Sequence, residues 1–225
     1  MNILKRESYE TARDYAYRTI RENIISLNLE PGSMLSENEI AQELGISRTP
    51  VREALIELSK TKMVEIIPQR GSFISKIDYG IIEEARFFRL IVEIAIAELA
   101  CDFASNKDIE ELEELVSLQE FYTERNMPDK MLAVDNEFHK ILYRIANKEF
   151  IRKIVEDTTV HFDRVRRLSI SAIKMDSIID DHRAIIKAIE ERDKKKVKEV
   201  VTKHLTRYKV DEELIRKKYP EYILN

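Results

Sequence analysis

Between residues 36 and 58, the stretch SENEIAQELGISRTPVREALIEL holds two helical apolar stripes with almost nothing between them. Ser36 stands three residues before Glu39, the reciprocal arrangement in which side chains satisfy the free N–H groups of a helix start. The helix that follows runs through Leu44 and meets Gly45, which supplies a left-handed stop. Only Ile46 and Ser47 precede the next start, where Ser47 or Thr49 can cap and Pro50 suits the first turn. Val51, Ala54, Leu55 and Leu58 then form one inward stripe. Arg48 and Arg52 must project outward, one turn apart.

The flanks complete a pattern. Ala16, Ile20, Ile24 and Leu27 recur at helical spacing before a Pro31-Gly32 turn. After the second short helix, MVEIIPQRGSFIS (63–75) reads as two strands joined at Pro68 to Gly71. Helix, turn, helix and β-hairpin make a winged helix-turn-helix over residues 1–76. In that fold the first turns of the recognition helix enter the major groove, where a guanidinium reaches guanine O6 and N7. Arg48 and Arg52 fit that role, Ser47 and Thr49 offer hydroxyls to phosphates, and Arg70-Gly71 forms a basic wing tip. The net charge of −4 argues against DNA binding when averaged over the chain, but residues 44–76 carry six basic side chains against three acidic ones. A solvated pairing of Arg48 and Arg52 with Glu53 or Glu57 is the competing account. It leaves the agreement of caps, turn and wing unexplained.

LEPGSMLSENEIAQELGISRTPVREALIELSK, followed by IIPQRGSFIS, resembles the DNA-binding domain of the GntR regulators. The resemblance rests on the Pro-Gly turn, the pattern from Leu35 to Ala41, the run from Ser47 to Leu55 and the Arg-Gly wing. It implies that Ser47, Arg48, Thr49 and Arg52 make the recognition-helix contacts and that Gly71 lets the wing approach the minor groove. Two positions depart from the family pattern. Asn38 replaces a frequent arginine, and Lys62-Met63 replaces the usual Gly-Leu before the first wing strand.

Beyond residue 76 everything reads as helix, with segments expected at 78–104, 107–125, 129–146, 148–170, 175–192 and 194–218. Four glycines and five prolines are too few for an all-β fold. Residues 77–225 therefore form an antiparallel helical bundle, able to house a ligand. Arg89, Glu93 and Glu98 interrupt its most apolar stretch, and the N-terminal residues lack an apolar signal core, so a cytoplasmic chain without a membrane span is expected. Cys101 is the sole cysteine and sits in an apolar helix, as a buried bystander.

The four histidines carry the chemistry of the bundle. Asp135 and His139 lie four apart, on one helix face. His182 and His204 are separated by one helical hairpin, so three imidazoles and a carboxylate can converge. A local ion pair is the plainer account of Asp135 and His139. The full set suits a divalent ion such as zinc or nickel. This constellation is similar to the metal-binding helical (FCD-type) effector domain of the FadR-type branch of the GntR family. The resemblance implies Asp135, His139, His182 and His204 as metal ligands and Arg89 as an anchor for a small carboxylate effector, against a simple Arg89–Glu93 helix pair. His161 has no place in the pattern and reads as a surface or supporting residue.

The chain is accordingly expected to be a ligand-responsive transcription regulator that binds a palindromic operator as a homodimer. Two alternatives are a metal-dependent enzyme acting on a small carboxylate and a helical adaptor without metal. Against the enzyme stands the separate DNA reader, together with the lack of a paired acid and base at motif spacing.

Overall fold

The computed structural model describes residues 1–170, 176–206 and 212–224. Among the described residues there are eleven α-helices and one three-stranded sheet, divided between two compact units. The first unit comprises Met1–Ile82, Val160–Arg167 and Leu214–Asn225, and the second comprises Glu83–Thr159 and Leu168–Glu213. Where the sequence places one division at residue 76, the N-terminal unit also takes in two segments from far along the chain.

In the first unit, α1 (Ala12–Ile25) starts at Thr11, whose hydroxyl accepts from the Asp14 N–H. α2 (Glu37–Leu44) starts at Ser36, whose hydroxyl accepts from the Glu39 N–H. The helix closes on Gly45 at φ 65°. There the Gly45 N–H donates to Gln42 and the Ile46 N–H to Ala41, a paired closure that requires a left-handed residue. An added Cβ on Gly45 would meet nothing within 4 Å, so backbone conformation alone calls for glycine.

α3 (Arg48–Lys60) follows, with Ser47 in the cap position but making no side-chain cap bond. The same closure ends α3, where Lys62 donates to Ser59 and Met63 to Leu58. Here a lysine takes φ 56° in place of glycine, a strain of about 1 kcal/mol. The core of this unit joins Ala16, Ile20 and Ile24 of α1 to Val51, Ala54, Leu55 and Leu58 of α3.

The sheet order is β1-β3-β2, antiparallel throughout. β2 (Val64–Ile67) and β3 (Gly71–Ile74) are the expected wing, with Val64 opposite Ile74 and Ile67 opposite Gly71. Their turn is closed by the Arg70 N–H donating to the Ile67 carbonyl at 3.0 Å, with Gln69 at φ 62°. β1 (Met34–Leu35) adds a strand that alternation cannot reveal, because two residues have no period.

The second unit is built from α4 (Tyr79–Phe103, from Glu83 onward), α5 (Asn106–Glu124), α6 (Pro128–Ile145), α7 (Glu149–Thr158), α9 (Asp176–Glu190) and α10 (Lys194–Thr206). Its core includes Ala97, Ala100, Cys101, Leu112, Phe138, Ile185, Ile189 and Val197. A reciprocal cap between Ser105 and Asp108 starts α5, and Pro128 starts α6. Along α6, Phe138, Ile141 and Leu142 turn inward on the same side as Asp135 and His139.

One expected helix, 148–170, is two. α7 ends at Thr158, and α8 (Val160–Ile170) begins just beyond Thr159. The cause is a pair of adjacent threonines whose hydroxyls donate back to the carbonyls of Ile154 and Val155, at 2.7 and 2.9 Å. Such back-bonding competes with the helical ladder and bends it. The helix expected over 194–218 crosses 207–211, and the one expected from 175 begins among 171–175; those residues lie outside the described ones. α10 and α11 (Glu212–Lys218) flank the first gap. At the end of the chain Ile223 pairs in parallel with Ile77, within the first unit. No helix among the described residues is long and apolar enough to cross a membrane.

Candidate functional site

In the first unit, Ser47, Arg48, Thr49 and Arg52 are all exposed on the opening turns of α3. Arg48 pairs with Glu37 at 3.2 Å, a different partner from Glu53 or Glu57, with its own side chain 65% exposed. An ion pair that open to water contributes little, so a phosphate or base can take the guanidinium over. Arg70 is exposed at the wing tip, 6.0 Å from the centre of the Phe73 ring. Gly71 has φ 110°, and a Cβ there would come within 3.2 Å of Met34 Cε. The Met34 methyl ends a flexible, exposed side chain that can give way, so it is the backbone conformation that calls for glycine at this point of the wing.

In the second unit, α6, α9 and α10 bring His139, His182 and His204 together, with one ring nitrogen from each lying within 4.8 Å of the others. Asp135 stands beside them. Its carboxylate oxygens are 3.7 Å from His182 Nε2 and 3.9 Å from His139 Nε2. All four side chains are buried or nearly so.

The outward nitrogen of each ring has an oxygen facing it. The Gln119 side-chain carbonyl accepts from His182 Nδ1–H at 2.8 Å. Glu93 Oε2 lies 2.9 Å from His139 Nδ1, while Glu93 Oε1 accepts from Arg89 Nε at 2.5 Å. Asp181 Oδ2 lies 3.8 Å from His204 Nδ1, and Lys203 holds the other Asp181 oxygen at 3.1 Å. The Gln119 bond places the His182 proton on Nδ1 and directs its Nε2 lone pair inward, and the carboxylates beside His139 and His204 favour the same tautomer there. Phe138 stacks on His182, with ring centres 4.1 Å apart, and fixes its plane.

This arrangement fits a metal ion. His139 Nε2 and His204 Nε2 face one another at 3.3 Å. Two inward lone pairs at that separation repel unless a proton or a cation lies between them. Two nitrogens each about 2.0–2.1 Å from one zinc ion stand roughly this far apart. Burial raises the cost of a proton on His204 and lowers its pKa, which favours the cation. For Glu93, burial works against the charge, but Arg89 and His139 outweigh it and hold the carboxyl well below the usual range. Tyr143 lines the closed pocket beside Glu93, His139 and His204. Its hydroxyl is buried and has no hydrogen-bond partner among the described residues, and neither has Gln119 Nε2.

Against known proteins, residues 12–74 match the family of bacterial regulatory proteins called gntR, and residues 84–207 match the FCD domain. The chain is 32% identical over 190 residues to the HTH-type transcriptional repressor RspR of Escherichia coli K12, spanning 84% of this chain and 83% of that one. It belongs to the GntR family. A Streptomyces ambofaciens HTH-type regulator in an unstable DNA locus is 31% identical over 220 residues, covering 94% of this chain and 89% of its own. The solved structure of E. coli McbR/YncC shares the fold with a TM-score of 0.77 at 19% identity, covering 93% of this chain and 99% of that one. This GntR protein is a DNA-binding transcription regulator with an FCD domain, and its relatives are regulators, not enzymes.

Several residues of the regulator's second unit escaped the sequence reading. Gln119 had a signal: it occupies the apolar stripe of Leu112 and Val116 on α5, where a polar residue needs a reason. Glu93 was visible only as a helix partner of Arg89. His161 is a correction. It is 4% exposed, lies in the first unit, and its Nε2–H donates to the Thr61 carbonyl at 2.8 Å. Neither the surface nor the cluster of His139, His182 and His204 holds it.

Proposed function

We propose that this GntR regulator is of the FadR type, binding a divalent metal and a small organic acid through residues 77–225 and a palindromic operator through residues 1–76. The observation that carries the reading is the inward convergence of three imidazoles and Asp135, with an oxygen facing the outward nitrogen of each ring. Asp135, His139, His182 and His204 would hold the ion, and the nitrogen-rich set favours zinc or nickel. When bound, the ion would supply a cross-link between α6, α9 and α10 and a Lewis-acid site for a carboxylate oxygen.

Arg89 is the proposed anchor for the other oxygens of the acid. It is buried, and Glu93 orients it beside the pocket that His139, His204 and Tyr143 line. The Tyr143 hydroxyl, which lines the same pocket, would meet an oxygen of the acid. On the DNA side, Arg48 and Arg52 are the proposed base readers, Ser47 and Thr49 the phosphate contacts, and Arg70 and Gly71 the wing contacts. A homodimer is the form that matches two half-sites. Exposed Phe87 and Ile91, one turn apart on α4, offer an apolar face for a second copy.

The test combines elemental analysis, mass in solution and calorimetry. About one zinc or nickel per chain and a mass near twice 26.5 kDa are expected. Titration with a panel of small organic acids should find one that binds the metal-loaded wild type and binds Arg89→Ala more weakly, with metal content unchanged. A metal-free, monomeric protein that binds none of the acids would favour the helical adaptor instead.

A further inference from the structure

The bend at Thr159 sends the first turns of α8 into the DNA-binding unit. Val160 is 1% exposed and joins that unit's apolar core. His161 and Arg164, three residues apart on one helix face, follow it into the interior. Arg164 is fully buried. Each of the two grips one main-chain carbonyl: His161 that of Thr61, and Arg164 Nη2 that of Ser75 at 2.7 Å.

Those two carbonyls end the two elements that read DNA. Thr61 is the C-cap of α3, where the last carbonyls of a helix lack intrahelical donors. Its peptide bond leads directly into Lys62, which is held in a left-handed conformation without glycine. Ser75 follows the last wing strand, and its N–H donates to the Met63 carbonyl at 3.0 Å. Recognition helix, turn and wing base are thus joined at Met63 and Ser75 and braced from behind by α8.

The brace is costly. Arg164 Nε and Nη1 have no hydrogen-bond partner among the described residues, and burial lowers the guanidinium pKa to about 10. A buried charge held by a single carbonyl carries a desolvation cost that one bond does not offset, and an apolar side chain of the same volume would pack without the penalty.

We propose that His161 and Arg164 are positioning residues of the DNA reader, fixing the angle between recognition helix and wing by holding the Thr61 and Ser75 carbonyls. The family match for DNA binding ends at residue 74 and that for the FCD domain includes α8. Part of the DNA reader is therefore encoded inside the effector-domain sequence. Neither the metal nor the acid enters this brace.

The test uses the full-length protein and two duplexes of equal length: one enriched from a random library by the wild type, the other unselected. His161→Ala and Arg164→Met should weaken binding to the enriched duplex by about 10-fold or more, the scale of one lost base-edge contact. Binding to the unselected duplex should change by less than about 2-fold, since phosphate contacts tolerate a small rotation. His161→Gln, which keeps an N–H donor, should restore the ratio. A role in folding alone would lower the melting temperature and leave the ratio of the two affinities unchanged in the folded fraction, and that result overturns the proposal. If Arg164→Met does not fold, Arg164→Lys and the His161 pair decide by the same ratio. Imidazole ¹⁵N spectra of the wild type add a check without mutation: His161 must be protonated on Nε2, and the Nδ1 tautomer would refute the bond.

Discussion

Replacing Glu93 by glutamine changes one atom of the relay that aims His139. Glu93 accepts from Arg89 with one oxygen and faces His139 Nδ1 with the other, at 2.5 and 2.9 Å, in a site where both side chains are under 10% exposed. Glutamine has a single acceptor. With its oxygen toward His139, its NH₂ meets the Arg89 N–H groups, donor against donor. In the reverse orientation the NH₂ takes the Nδ1 lone pair and moves the ring proton to Nε2, the nitrogen that faces His204 at 3.3 Å. One charge-assisted bond is lost either way, about 1.5–3 kcal/mol. Partners behind a metal-bound histidine typically contribute about 10–100-fold in affinity, which agrees with that energy. Glu93→Gln should therefore weaken zinc or nickel binding by about 10–100-fold, measured by competition with a chromophoric chelator on stripped protein. The melting temperature of the stripped form serves as the control for folding. A metal affinity within about 2-fold of wild type would refute the claim that Glu93 sets the orientation of His139.

Three further outcomes follow from the geometry. Arg52→Ala should cost about 1–3 kcal/mol at the enriched duplex and little on random DNA, by fluorescence anisotropy; equal losses on both would make Arg52 a phosphate contact. Lys62→Gly relieves a left-handed lysine and should raise stability by up to about 1 kcal/mol in denaturant unfolding, the remainder after glycine's added freedom in the unfolded chain; a lower midpoint would contradict the strain. Burial lowers the His161 pKa, Arg164 and Lys62 add to the shift, and the Thr61 carbonyl and Asp78 oppose it. The unfolded chain then binds the proton more readily, so the stabilisation is complete above about pH 6.5 and is lost as pH falls through the folded-state value. Unfolding midpoints between pH 7 and 5 should fall more steeply for wild type than for His161→Gln, and equal slopes would count against it.

The DNA reader was legible because its signals are local. Ser36, Gly45 and the stripe from Val51 to Leu58 each act within one turn of helix, and the wing has enough residues to show its hairpin. Lys62 shows the limit of that reading: the turn keeps its shape without its usual glycine because tertiary bonds hold it. The Asp135–His139 spacing and the hairpin between His182 and His204 placed the convergent side chains on three helices, since helical periodicity alone aligns them. What faces those rings was not legible. Gln119 and Glu93 reach them from α5 and α4, across packing that no local pattern encodes. The bend at Thr159 was missed because two threonines in an otherwise helical stretch carry a weak signal. That bend decides which unit receives His161 and Arg164.

The most direct test of a metal-dependent regulator is the affinity for the enriched duplex, measured on wild type and His182→Ala, each before and after chelation. The account predicts that chelation shifts the wild-type dissociation constant and that restoring zinc or nickel reverses the shift, while His182→Ala responds to neither. An identical constant for stripped and loaded wild type, or an equal response in His182→Ala, would contradict it.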